Sequence, residues 1–148
     1  MASTDPHAHS MHSWEANAAF WDESVGHDGN VYWQQLQVPA LERMIPEAPA
    51  GTGRRVLDLA GGNGLVSRWL AGRGGIDLVL CTDGSEGMVK IAKGRWEGTS
   101  VDAGAGASGD KGEVKMLFQR VDVTSEDAFA KLEAEYGAKD VSDLFCSL

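Results

Sequence analysis

The sequence predicts an α/β fold: a parallel sheet of about four strands, covered by helices on both faces and preceded by two N-terminal helices. Three observations carry this. Short apolar runs of the kind buried on both faces recur along the chain, at Arg54 to Ala60, Ile76 to Thr82, Val114 to Val121 and Val141 to Leu148. Each of the first three is followed by a segment with helical spacing of its apolar residues, at Leu65 to Ala71, Ser85 to Trp96 and Ser125 to Tyr136. A glycine cluster, Gly61, Gly62 and Gly64, joins the first strand to the first of these helices, and strands linked by such crossovers lie parallel.

Taken in order, residues 1–12 read as a disordered tail. Its His7, His9 and His12 lack a Cys or carboxylate at metal-ligand spacing, so no metal site is expected. Residues 13–50 carry the lead-in helices. The first, Ser13 to Glu23, places Trp14, Ala18 and Trp21 on one face; the second, from about Val31 to Ile45, has Tyr32, Leu36, Leu41 and Ile45 as its buried side. Trp14, Trp21 and Trp33 either pack these helices on the sheet or form an aromatic lid, and packing needs fewer assumptions. In residues 54–148, Leu65, Trp69 and Leu70, then Met88, Ile91 and Ala92, then Phe129, Leu132 and Tyr136 are the inward stripes of the three crossover helices. Ser85 and Ser125 are the expected caps, and the Gly, Ala, Ser and Asp-rich run from Gly98 to Gly112 is expected to be a mobile loop.

Composition narrows the function classes. A formal net charge of −9 argues against a surface that grips phosphate backbones, so nucleic acid is not an expected partner and a small molecule is. No run of about 18 apolar residues or signal peptide is visible, which suggests a cytoplasmic protein away from the membrane. Cys81 and Cys146 sit in apolar runs and read as buried free thiols.

In open parallel sheets ligands bind beyond the carboxyl ends of the strands, and each of the first three strands delivers an acid there: Asp58, Asp83 and Asp122. The glycines let the chain turn sharply and let a ligand lie on the backbone. Asp58, just ahead of them, would repel a diphosphate but attract an ammonium or sulfonium, which disfavours a nicotinamide-dependent oxidoreductase. Asp83 follows Gly64 by 19 positions, near the spacing of about 20 at which an acid meets ribose hydroxyls. Met88 is placed to lie against a flat base, although a methionine is more often core. Asp122 suits an exocyclic amino group, with a turn-forming role before Thr124 and Ser125 as the alternative.

The run VLDLAGGNG, followed by LVLCTDGSEGMVKIAK and LFQRVDVT, resembles the successive motifs of class I S-adenosylmethionine-dependent methyltransferases. WEANAAFWDESVGHDGNVYWQQLQVPALERMI is similar to the lead-in helices of their small-molecule subgroup. The resemblance implies a Rossmann-like three-layer sandwich, S-adenosyl-L-methionine as cofactor and methyl transfer to a small molecule. It puts Gly61, Gly62 and Gly64 at the methionine portion, Asp83 at the ribose, Asp122 with Val123 at the adenine, and Tyr32 in the closing region; Asp58, Ala60, Gly84 and Met88 complete the expected cofactor-binding set. No catalytic side chain is nominated, because the sulfonium is already activated. Ala60 stands where the family often has its first glycine, a change of one small residue for another.

DVSDLFCSL looks like the family's fourth motif, after which three further strands would follow, so residues 13–148 are expected to be a partial, C-terminally truncated domain. Its last strand would then be a sheet edge exposing Leu144, Phe145 and Leu148. Three states fit that expectation: a truncated product without activity, a fragment completed by dimerisation or a second chain at that edge, or a cofactor-binding scaffold without catalysis.

Overall fold

The computed structural model describes residues 6–49, 51–102, 114–136 and 143–146. In chain order these form helix α1 (Pro6–Val25), a π-helical turn (Trp33–Gln37) running into α2 (Val38–Met44), and strand β1 (Arg54–Leu59). Then follow α3 (Leu65–Ala71), β2 (Ile76–Asp83), α4 (Glu86–Asp102), β3 (Lys115–Arg120), α5 (Ala128–Tyr136) and β4 (Asp143–Cys146).

All strand pairs are parallel and the sheet order is β3-β2-β1-β4. The chain steps outward from β1 to β3 and then returns to the other side of β1, so the topology reverses between β1 and β4. Such a switch point opens a crevice at the carboxyl ends of the strands. The register aligns those ends, with Asp58 opposite Cys81 and Asp83 opposite Arg120.

Both faces of the sheet are covered, which is why its strands read as near-continuous apolar runs. Leu57, Leu59, Leu78 and Leu80 pack with Val121 and with Ala128 and Leu132 of α5 on one face. Val56 and Val79 pack with Ile45, Leu70 and Ile76 on the other, where α3 lies. Alternation along β1 therefore sends Asp58 to the same face as Val56, toward α3. A register irregularity at Arg54/Arg55 lets Ile76 join the Val79 layer despite its even spacing from Leu78 and Leu80.

Several elements depart from expectation. The predicted tail is helical from Pro6, a residue whose missing N–H costs nothing in a first turn, while residues 1–5 lie outside the described residues. In the second lead-in helix Tyr32 and Leu36 are exposed and Trp33 is buried, because the wider π turn rotates the inward face; Leu41 and Ile45 do reach the core. Trp33 meets Trp69 edge-on at 6.4 Å between centroids. Helix α4 continues through the first part of the expected loop to Asp102, and residues 103–113 lie outside the description. Helix α5 starts at Ala128, since the Ser125 hydroxyl bonds the Asp127 side chain instead of capping, and Phe129 is half exposed where Ala128 and Leu132 carry the packing. Strand β4 pairs with β1; Val141, Leu148 and the side chains of Leu144 and Phe145 lie outside the description.

Leu70 is fully enclosed between α3 and the sheet. Leu70→Ala should lower unfolding free energy by about 2–5 kcal/mol in urea titrations followed by circular dichroism. A loss below about 1 kcal/mol would contradict this packing.

Candidate functional site

A cavity of about 720 Å3 opens above the carboxyl ends of β1, β2 and β3, within the range of about 300–1,000 Å3 usual for small-molecule sites. Its floor is the turn after β1. Ala60, Gly61 and Gly62 line it, and Gly62 adopts φ 55°, a left-handed conformation natural to glycine. A Cβ on Gly61 would come within 2.8 Å of Cys81 Sγ and 3.0 Å of Asp58 Oδ2, so only glycine lets the turn settle onto the strands. The Gly61 N–H donates to Thr82 O at 2.8 Å, tying the turn to β2.

Asp83, at the end of β2, holds this turn from the side. Its Oδ2 accepts the Gly62 N–H at 3.0 Å and its Oδ1 accepts the Ser85 N–H at 2.8 Å. Each oxygen keeps lone-pair capacity toward the cavity that Asp83 lines. Ser85 then caps α4 as expected, its hydroxyl accepting the Met88 N–H at 3.1 Å. Met88 is buried and reaches the cavity wall, so it serves core and wall together.

Asp122, just beyond β3, lines the same cavity with Val121, Val123 and Thr124. Its Oδ1 accepts from the Thr124 N–H at 3.0 Å and hydroxyl at 2.7 Å, and its Oδ2 lies 3.0 Å from His7 Nε2. The Thr124 hydroxyl, then His7, hold the Asp122 carboxyl down at about 2.

The roof is α1. Glu15 accepts the Ser85 hydroxyl at 2.6 Å and the Gly87 N–H at 3.0 Å, completing the cap of α4; the Ser85 bond, then Gly87, lower its pKa. Farther along, Asp22 grips Arg95 with two bonds of 2.6 and 2.9 Å and accepts the Asn63 amide at 3.0 Å. Burial pushes the Asp22 carboxyl up, but Arg95 and Asn63 outweigh it and the net shift is downward. Arg68 donates to Asn63 O and His27 O, both at 2.7 Å; burial first, then Arg95, brings its pKa down to about 10.

Of the residues singled out in the sequence, Ala60, Gly61, Gly62, Asp83, Gly84, Met88, Asp122, Val123 and Tyr32 come together on this one cavity. Asp58 and Gly64 do not line it. Asp58 is fully buried beneath the turn, where it accepts the Ser67 hydroxyl and cannot face a cationic ligand. Gly64 turns toward α4, its Cβ position 3.0 Å from that of Ala92. Ala60 has φ 55°, so a side chain occupies a left-handed position that the small-for-small substitution did not suggest was strained. Cys81 is a free buried thiol, pushed up to about 12 by burial and then by Asp58. The side chain of Cys146 lies outside the description.

Helix α1 contributes more than the sequence suggests. His7 and Met11 belong to the expected tail, and for Trp14 and Trp21 packing is favoured over the aromatic lid. In the structure Trp14 and Trp21 stay half exposed on the cavity, and only Trp33 is buried.

No family model and no curated protein matches the chain. Solved structures do match. A SAM-dependent methyltransferase from Anabaena variabilis superposes with TM-score 0.56 and 16% identity, over 97% of this chain and 48% of that one. Magnesium protoporphyrin IX methyltransferase from Synechocystis, solved with SAM bound, superposes with TM-score 0.51 and 23% identity, over 81% of this chain and 57% of that one. The chain thus has the Rossmann-like class I fold of S-adenosylmethionine-dependent methyltransferases and spans roughly half the length of these two structures.

Two predictions follow from the rim of the cavity. Ala60→Gly relieves a left-handed alanine worth about 1–2 kcal/mol against about 0.4–1 kcal/mol of added unfolded-state entropy, so stability should rise by about 0.5–1 kcal/mol in thermal melts; a fall would contradict the turn geometry. The depressed Asp122 contributes stability that is complete above its unfolded pKa of about 3.9 and is lost as pH falls through about 2. Carbon NMR of its carboxyl should show a midpoint near 2; a midpoint near the ordinary 3.8 would contradict the His7 and Thr124 contacts.

Proposed function

We propose that this cavity binds S-adenosyl-L-methionine and that the chain serves methyl transfer from it to a small-molecule acceptor. The observation that carries the reading is the wall itself. Two strand-end carboxylates, Asp83 and Asp122, line one cavity with a glycine turn, Gly84 and the apolar surfaces of Met88 and Val121. That pattern matches a nucleoside: Asp83 accepts from ribose hydroxyls, Met88 and Val121 flank the base, and Asp122 with Val123 meets its amino edge.

The charge of the site favours this cofactor over a dinucleotide. Among the described lining residues there is no Lys or Arg to neutralise a diphosphate, whereas a cofactor with a sulfonium and an ammonium group brings positive charge into an acidic cavity. Gly61 and Gly62 offer backbone at the methionine end, and Asp58 contributes from beneath by fixing the turn through Ser67. When bound, S-adenosyl-L-methionine supplies an activated methyl group, which leaves the chain to orient the acceptor and exclude water. Helix α1 and Tyr32 do the latter by covering the cavity. A second reading is a cofactor-binding scaffold without catalysis, since a cofactor site does not by itself define an activity.

Calorimetric titration of the full chain tests the cofactor. S-adenosylhomocysteine should bind one to one and NAD should give no heat, with Asp83→Ala weakening the thioether by about 10–100-fold for the loss of a charged acceptor. NAD binding with no response to S-adenosylhomocysteine would overturn the reading. Transfer of labelled methyl into a metabolite extract separates the enzyme from the scaffold.

A further inference from the structure

Trp14 and Trp21 stand seven residues apart on α1, two helical turns, and so share one face. Their rings meet edge to face at 5.8 Å and 87°, and both line the cavity. They remain 47% and 45% exposed, whereas Trp33, which does pack the fold, is 5% exposed. Val25 and Tyr32 extend the same apolar wall. Large aromatic surface left open inside a cavity is what a binding site keeps and a packing contact buries.

Charge defines what that wall can accept. The acids and bases on the lining are His7, Asp83 and Asp122, with the phenol of Tyr32. His7 and Asp122 are engaged with each other, and Asp83 holds two backbone amides. An anionic acceptor would therefore find no Lys or Arg among the described lining residues to pair with. Neutral polar groups are present in Ser24 and Gln37, suited to a hydroxyl or amine. A flat aromatic guest also gains from the crossed indoles, which offer one ring face and one ring edge, beyond what an aliphatic of equal area would gain.

We infer that the methyl acceptor is an uncharged, flat aromatic molecule held against Trp14 and Trp21; this rests on the cofactor reading above and narrows its substrate class. The test uses the full chain with and without saturating S-adenosylhomocysteine, and 2-naphthol, 2-naphthoate and decahydro-2-naphthol as probes, followed by calorimetry. 2-Naphthol should bind saturably, and Trp14→Ala or Trp21→Ala should each weaken it by about tenfold or more. Trp14→Phe and Trp21→Phe, which keep a ring, should recover binding to within about threefold of the wild type. The anionic and the non-planar probes should each bind about tenfold more weakly than 2-naphthol.

In the two alanine variants 2-naphthol affinity should fall by more than S-adenosylhomocysteine affinity, since Asp83 and Asp122 are retained. Equal binding of 2-naphthoate, or 2-naphthol binding indifferent to both alanine changes, would overturn the inference while leaving the cofactor reading intact. Failure of the wild type to bind S-adenosylhomocysteine would overturn the cofactor reading, and with it the identification of the aromatic wall as an acceptor site.

Discussion

One carboxylate organises the site. Asp83 joins the glycine turn after β1 to the start of α4 by accepting the Gly62 and Ser85 amides, one on each oxygen. The Ser85 hydroxyl, positioned by that contact, caps Met88 and donates to Glu15, so α1 is fastened to the same point. Hydrogen bonds to charged groups are worth about 1.5–3 kcal/mol each, roughly twice neutral ones, and here they also remove freedom from the acceptor. A carboxylate already fixed between two amides meets an incoming hydroxyl without having to be ordered first.

The second constraint is the attachment of α1. Glu15 secures it at the N-terminus of α4, where a negative charge also complements the helix dipole. The Asp22–Arg95 pair secures it farther along α4. Both partners of that pair are about one-fifth exposed, so the contact is screened less than open surface pairs, which contribute about 0–1 kcal/mol. Asp22 also binds Asn63 inside the glycine turn, so floor and roof of the cavity share one anchor. The lowered pKa of Asp22 means this anchor adds stability above the ordinary carboxylate range and loses it in acid.

Much of this was legible in the sequence because buried parallel strands leave a distinct trace. VLDLA, LVLCT and MLFQRV carry apolar residues toward both faces, and Gly61, Gly62, Asp83 and Asp122, which follow them, sit where ligands bind. Asp58 was misjudged although the signal was there: it lies two residues from Val56, and period-two alternation sends it to the buried α3 face. The π turn at Trp33–Gln37 was not legible, since nothing in WQQLQ distinguishes a wider turn from an ordinary one, and it exchanged Trp33 for Tyr32 and Leu36 on the inward side. The role of α1 was hidden for another reason. The Trp14, Ala18 and Trp21 stripe has the same spacing whether it meets a core or a cavity, and only the tertiary position of α4 decides which.

The central claim is that the ends of β2 and β3 form a nucleoside site organised through Asp83. Residue-resolved amide NMR during titration of the full chain with adenosine tests it most directly. The largest shift changes should fall on Gly62, Gly84, Ser85 and Val123, saturating together. Changes centred on α5 or β4, with those four amides unmoved, would contradict the account.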